Sequence, residues 1–161
     1  GRSGRAHRGR IPDAVTLWRG ERLMMTSPPR KPPTILIVDD EAGLRRVLER
    51  FLEQSGYRVL SAGTAEAAYE LLTGEEADAL LLDIQLPTMS GLALYLAIVH
   101  RWPRLEGRVA IMTGDAEAEE VRTWLEHHRC VVLRKPFNLR QVADWVALVI
   151  QTNRSSGAMD A

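Results

Sequence analysis

The sequence predicts an α/β domain: a parallel sheet of five strands with helices on both faces. Three observations carry this prediction. Short apolar runs alternate with segments of helical periodicity along most of the chain. The strongest runs, at residues 34–38 and 79–82, are continuously apolar, the pattern of strands buried on both faces. Several runs also stop abruptly in polar, turn-forming residues, which places those residues together at the carboxyl edge of a parallel sheet.

The elements follow in order. Thr34-Ile35-Leu36-Ile37-Val38 reads as the first strand and ends in Asp39-Asp40-Glu41. Leu44, Val47, Leu48, Phe51 and Leu52 then keep i, i+3, i+4, i+7, i+8 spacing, an amphipathic helix that Gly56 terminates. Residues 57–61 form a second strand, and Thr64 caps a helix through Ala68, Leu71 and Leu72 that stops at Gly74. The third strand ends in Asp83, followed by Ile84-Gln85-Leu86-Pro87-Thr88-Met89-Ser90-Gly91 and a helix over 92–100. Pro87 cannot pair in a central strand, and Gly91 suits a tight approach before the helix. Asp83 is therefore expected to be presented at the sheet edge rather than buried.

A fourth strand at 108–112 runs into Thr113-Gly114-Asp115, and Ala118, Val121, Trp124 and Leu125 line the next helix. A fifth strand at 130–133 leads into Arg134-Lys135-Pro136-Phe137. Asn138 and Gln141 have capping-box spacing and open a last helix through Val142, Val146 and Val149. Short connections demand right-handed crossovers, and the natural five-strand solution is the flavodoxin-like order 2-1-3-4-5.

The domain is expected to span 34–151, after a basic, Pro-rich, disordered leader at 1–33 and before a flexible tail at 152–161. The net charge of +0 conceals an asymmetry: residues 1–33 carry an excess of six positive charges and the remainder an excess of six negative ones. The leader lacks interleaved aromatic residues, so it reads as a solvated segment and not as a nucleic-acid interface. No apolar run approaches the roughly 20 residues that span a bilayer, and no secretory h-region is present. The single Cys130 excludes an internal disulfide and fits a reducing cytoplasm. The first residue is Gly1, so the chain is either a fragment of a longer protein or begins naturally at Met24 or Met25.

In the predicted strand order, Asp39, Asp40, Asp83, Thr113 and Lys135 converge. Three neighbouring carboxylates repel one another unless a cation lies between them or one of them holds a proton. A hard divalent ion suits all-oxygen ligands, and Mg²⁺ is preferred where waters and a phosphoryl group complete its shell. Of 21 basic residues, 19 are Arg and only Lys31 and Lys135 are Lys, so a Lys inside the domain invites a chemical explanation. Carboxylate, metal, ammonium and hydroxyl together suit phosphoryl transfer onto a carboxylate oxygen.

Four motifs in this order, Val38-Asp39-Asp40-Glu41, Leu82-Asp83 through Gly91, Met112-Thr113-Gly114 and Lys135-Pro136-Phe137, resemble the receiver domain of two-component response regulators. The resemblance covers about three quarters of the chain, from Thr34 to Gln151. It implies that Asp83 accepts a phosphoryl group from the phosphohistidine of a sensor histidine kinase or a histidine phosphotransfer protein. It implies Mg²⁺ held by Asp39, Asp40, Asp83 and the Gln85 carbonyl, with Lys135 on a phosphoryl oxygen. Thr113 would turn inward, Gly114 would leave the approach open, and a cis peptide would precede Pro136. Gln85 and Asp115 stand where the family modulates hydrolysis of the acyl phosphate. The implied role is a cytoplasmic switch read by a downstream protein partner, without nucleic-acid or membrane binding by this chain and without conventional enzymatic turnover. It would be a stand-alone receiver or the terminal receiver of a hybrid kinase.

One position departs from the family pattern. Val132 stands where an aromatic residue is common, so an aromatic flip on strand five is not expected, and readout would rest on movement of the 113–128 segment or on altered affinity with little displacement. The enzymatic alternative is a Mg²⁺-dependent phosphohydrolase of the haloacid-dehalogenase kind. That family spaces its two acids two residues apart, whereas Asp39 and Asp40 are adjacent. The remaining alternative is an interaction module that keeps the fold without the phosphorylation. Nucleotide-binding G-x-G-x-x-G and Walker A patterns are absent. His127-His128 near Cys130 lacks a second ligand cluster, and Trp124 and Trp145 read as packing or partly exposed helix residues, with partner anchoring as the alternative.

Overall fold

The computed structural model describes residues 31–160, so the expectation for most of the leader lies outside the described residues. The strands are β1 (Thr34–Val38), β2 (Arg58–Ala62), β3 (Ala79–Asp83), β4 (Val109–Thr113) and β5 (Val131–Arg134). The helices are α1 (Ala42–Gln54), α2 (Ala65–Gly74), α3 (Gly91–Arg101), α4 (Glu119–His127) and α5 (Leu139–Asp160), with a 3₁₀ turn at Pro103–Leu105. All neighbouring strands pair in parallel, in the predicted order β2-β1-β3-β4-β5.

The hydrophobic pattern along each strand reflects its place in the sheet. β1, β3 and β4 lie inside the sheet and are buried at every residue. β2 and β5 are its edges and are only partly covered. Alternate residues feed opposite layers, as pleating requires. Ile35, Ile37 and Leu81 pack with Leu48 and Leu52 of α1 and with Val142, Trp145 and Val146 of α5. Leu36, Val38, Leu80 and Leu82 pack instead with Ala68 and Leu72 of α2 and with Leu94, Tyr95 and Ile98 of α3. A smaller cluster of Ile84, Leu92, Ile111 and Val121 seats α4 on that second face, directly beside the end of β3.

The local stop and start signals behave as their chemistry dictates. Thr64 Oγ1 accepts the Ala67 N–H at 3.1 Å, and Asn138 and Gln141 exchange reciprocal backbone-to-side-chain bonds of 3.1 and 2.9 Å. Gly56 follows α1 with φ of 97°, a conformation a Cβ would strain. Boundaries of β2, β4 and β5 fall one residue later than predicted. At the C-terminus α5 continues to Asp160, past the predicted boundary at Gln151. Residues 152–160 contain no proline, and polar residues lower helix propensity only modestly. A lone glycine such as Gly157 costs about 1 kcal/mol, too little to end a helix by itself.

Candidate functional site

Parallel pairing brings the ends of β1, β3, β4 and β5 into one edge. Asp83 is in register with Met112, and Thr113 with Arg134. Just beyond β1, the Asp39 N–H bonds the Ala62 carbonyl of β2 at 3.1 Å, which holds the acid turn against the sheet. The expectation that Asp83 stands exposed is corrected: Asp83 is 4% exposed and Asp39 0%. Asp40 alone of the three acids faces solvent.

Carboxylate oxygens of Asp39, Asp40 and Asp83 lie within 4.8 Å of one another. Lys135 crosses from the end of β5, placing Nζ 2.8 Å from Asp39 Oδ2 and 3.4 Å from Asp83 Oδ2. The remaining lone pairs are met by backbone. Glu41 N–H donates to Asp39 Oδ1 at 2.8 Å, and Gln85 N–H to Asp83 Oδ1 at 3.1 Å. Asp39 therefore also acts as a turn residue, while the N-cap of α1 is Glu41, without a side-chain cap bond. The peptide bond between Lys135 and Pro136 is cis, as the resemblance implied.

The electrostatics are unbalanced. Burial pushes the Asp83 carboxyl above its ordinary value; the Gln85 N–H opposes this, the Asp39 charge adds to it, and Lys135 opposes it. Burial alone would lower the Lys135 ammonium, but its bond to Asp39 and the charges of Asp83 and Asp39 outweigh burial and raise it. The Lys135 ammonium thus pairs with Asp39 and Asp83, two of the three clustered carboxylates. The donor set is all hard oxygen, crowded and under-neutralised, so these residues fit a Mg²⁺ ion.

Thr113 is 3% exposed, and its Oγ1 accepts the Asp115 N–H at 3.0 Å. Its carbonyl accepts the Lys135 N–H at 2.7 Å, tying the Thr and Lys segments together. A cleft of about 350 Å³ opens beside it, lined by residues including Ile84, Gln85, Ser90, Asp115 and Val121. Gly114 has open space where a Cβ would stand. Gly91 does not: a Cβ there would overlap the Asp83 carbonyl oxygen. Val132 pairs with Ile111 on the edge strand and is partly covered.

One site neighbour escaped the reading of the sequence. Arg45 of α1 donates from Nη1 to the Asp39 carbonyl oxygen at 2.6 Å. An arginine in a chain where 19 of 21 basic residues are Arg carries no compositional signal. The pair His127-His128 with Cys130 does not form a metal cluster, since Asp39, Asp40 and Asp83 are the one such group among the described residues. His128 instead stacks on Trp124 with ring centroids 3.7 Å apart, and Trp124 meets Tyr95 edge-on at 5.3 Å.

Cys130 lies behind this stack, and burial pushes its thiol up despite lowering contributions from Tyr95 and Trp124. A raised thiol pKa means a small thiolate fraction. Iodoacetamide labelling of the native domain at pH 8 should be several-fold slower than in urea, and should accelerate above the ordinary thiol range. Equal rates in both states would show an open thiol.

This is an open α/β domain with an acidic, metal-compatible pocket at the carboxyl edge of its sheet. A family model described as the response regulator receiver domain matches residues 35–147, and the chain belongs to that family. It is 32% identical over 114 residues to sporulation initiation phosphotransferase F of Bacillus subtilis, covering 70% of this chain and 89% of that protein. It is 35% identical over 113 residues to the DNA-binding transcriptional regulator NtrC of Klebsiella pneumoniae, covering 70% of this chain but only 23% of the relative. Among solved structures, a CheY-like response regulator receiver domain protein from Methanospirillum hungatei JF-1 superposes with a TM-score of 0.70 at 26% identity. That match covers 78% of this chain and 99% of the other. The chain is thus a signalling domain of two-component systems, and among its described residues no helix is long and apolar enough to cross a membrane.

Proposed function

We propose that this domain is a phosphorylation-dependent switch whose acceptor is the Asp83 carboxylate. The observation that carries the reading is Asp83 held beside Asp39 in a buried pocket, with Lys135 Nζ between the two at 3.4 and 2.8 Å. An Asp83 oxygen attacks the phosphorus of a phosphohistidine on a sensor histidine kinase or histidine phosphotransfer protein. The new P–O bond forms as the P–N bond breaks, and the electron pair returns to the imidazole nitrogen. Lys135 binds a phosphoryl oxygen as a point charge. Thr113 gives up the Asp115 N–H and turns its hydroxyl towards the phosphoryl group. The cleft beside Thr113 leaves room for that motion.

Asp39, Asp40, Asp83 and the Gln85 carbonyl would hold Mg²⁺, which neutralises charge on the transferring oxygens when bound. The chain's own residues supply the remainder: a nucleophile fixed by the Gln85 N–H, a cation at the pocket wall, and a buried setting for the carboxylate that limits water. A downstream protein then reads the altered surface around the 113–128 segment, since Val132 offers no aromatic side chain for the alternative. The reading places the domain in the cytoplasm, with its kinase.

Incubation with Mg²⁺ and acetyl phosphate or phosphoramidate, followed by intact mass, tests this. One phosphoryl group should be added, and EDTA should prevent it. Steady release of phosphate from ordinary monoesters over many turnovers would contradict the switch and favour a hydrolase.

The same geometry predicts the effect of Lys135→Ala. Asp39 loses a charge-assisted hydrogen bond while fully buried, so metal-free stability should fall by about 1.5 kcal/mol in urea denaturation. Phosphate uptake should also slow. An unchanged denaturation midpoint would show that Lys135 does not stabilise Asp39.

A further inference from the structure

Arg45 is peculiar in how it spends its charge. It is a partly buried cation beside an acidic pocket, yet among the described residues it forms no ion pair with any carboxylate. Its guanidinium reaches instead to a neutral acceptor, the Asp39 backbone oxygen, at 2.6 Å. That oxygen belongs to the peptide joining Asp39 to Asp40, the unit from which both carboxylates project.

The same end of the guanidinium, Nη1, lies against Gly63, in the turn between β2 and α2. A Cβ on Gly63 would come within 2.9 Å of Arg45 Nη1 and 3.5 Å of Cζ. The missing side chain therefore makes the space through which Arg45 reaches Asp39. Asp39 N–H is fixed in turn by the Ala62 carbonyl, the residue before Gly63. The acid turn is held from both of its polar backbone groups, by β2 and by Arg45.

Resting on the metal reading given above, we infer that Arg45 is a positioning residue for the metal-binding acids, with Gly63 as the vacancy that admits it. Its task is to orient the Asp39-Asp40 peptide, and its positive charge is incidental to that task. The two roles predict opposite signs. A cation near a metal site weakens Mg²⁺ binding by repulsion, so its removal tightens binding. A residue that orients ligands strengthens binding, and loss of such supporting contacts typically costs about 10–100-fold in metal affinity.

Gly63→Ala separates these roles, because it displaces Arg45 without changing any charge. The atom it meets is the end of a flexible side chain, so the fold should tolerate it. Isothermal titration with Mg²⁺ alone should show Gly63→Ala binding about tenfold more weakly than wild type. Arg45→Ala should also bind more weakly, by less, because removal of its charge offsets part of the loss. Thermal unfolding of both variants checks that they remain folded, and Arg45→Ala carries the test if Gly63→Ala does not fold. Tighter binding by Arg45→Ala, or wild-type affinity in Gly63→Ala, would overturn the inference while leaving the metal reading intact. Absence of Mg²⁺ binding by the wild type would overturn both.

Discussion

Asp83→Asn is expected to take up no phosphoryl group from any donor and, in metal-free buffer, to be more stable than the wild type. The first half follows from removing the nucleophile. The second follows from the pocket's surplus negative charge: Asp83 is 4% exposed, and burial, with the Asp39 charge adding to it, disfavours its ionised form. Active sites commonly carry such costs, and relieving one yields roughly 0.5–2 kcal/mol. The pH dependence has a definite sign. A carboxyl whose folded pKa is raised binds its proton more tightly in the folded state. The wild-type penalty is complete above the folded pKa and disappears as pH falls towards the ordinary carboxylate range. The stability gap between Asp83→Asn and wild type should therefore be widest near neutral pH and narrow on acidification. Chemical denaturation in EDTA across that range measures it. A variant less stable than wild type at neutral pH would mean that the Lys135 contact outweighs burial.

Gly91→Ala is expected to be the most damaging single-methyl change near the site. The added Cβ would overlap the Asp83 carbonyl oxygen and lie 2.7 Å from Ile84 Cα and 2.8 Å from the Asp83 carbonyl carbon. These are backbone atoms of the strand end that carries the nucleophile, and they cannot rotate away. The Gly91 N–H also bonds the Ile84 carbonyl at 2.7 Å, so α3 begins in direct contact with the loop it must clear. Overpacking of this kind usually costs 1–3 kcal/mol, and a backbone collision should reach roughly 3 kcal/mol or more. Gly114→Ala is the control, since open space surrounds its would-be Cβ, and its stability should stay within about 0.5 kcal/mol of wild type. Urea denaturation of both variants tests the contrast. Equal stabilities would show that the β3–α3 loop has slack.

Much of this architecture is legible in the residues because it depends on local chemistry. Continuous apolar runs mark β1 and β3 because both faces of an interior strand meet helices. Thr64 and the Asn138–Gln141 pair mark helix starts because their side chains replace missing backbone acceptors. The convergence of Asp39, Asp83 and Lys135 follows once the strand order is known. The burial of Asp83 does not, because its surroundings are assembled from residues distant in sequence, among them Asp39 and Lys135. Arg45 was invisible for a related reason. Its partner is a backbone oxygen and its passage is a missing side chain, and neither leaves a mark of charge or polarity. The helix α5 runs past Gln151, because weak helix formers by themselves do not enforce an end.

The central claim is that one carboxylate among three neighbouring acids is the nucleophile. Borohydride reduces an acyl phosphate, but not a free carboxylate, to an alcohol, so it marks the phosphorylated position permanently. The wild-type domain, phosphorylated with acetyl phosphate and Mg²⁺, reduced and sequenced by tandem mass spectrometry, should carry homoserine at position 83 and unmodified aspartate at 39 and 40. Homoserine at position 39 or 40, or phosphate that resists borohydride because it sits on a hydroxyl or imidazole, would contradict the account.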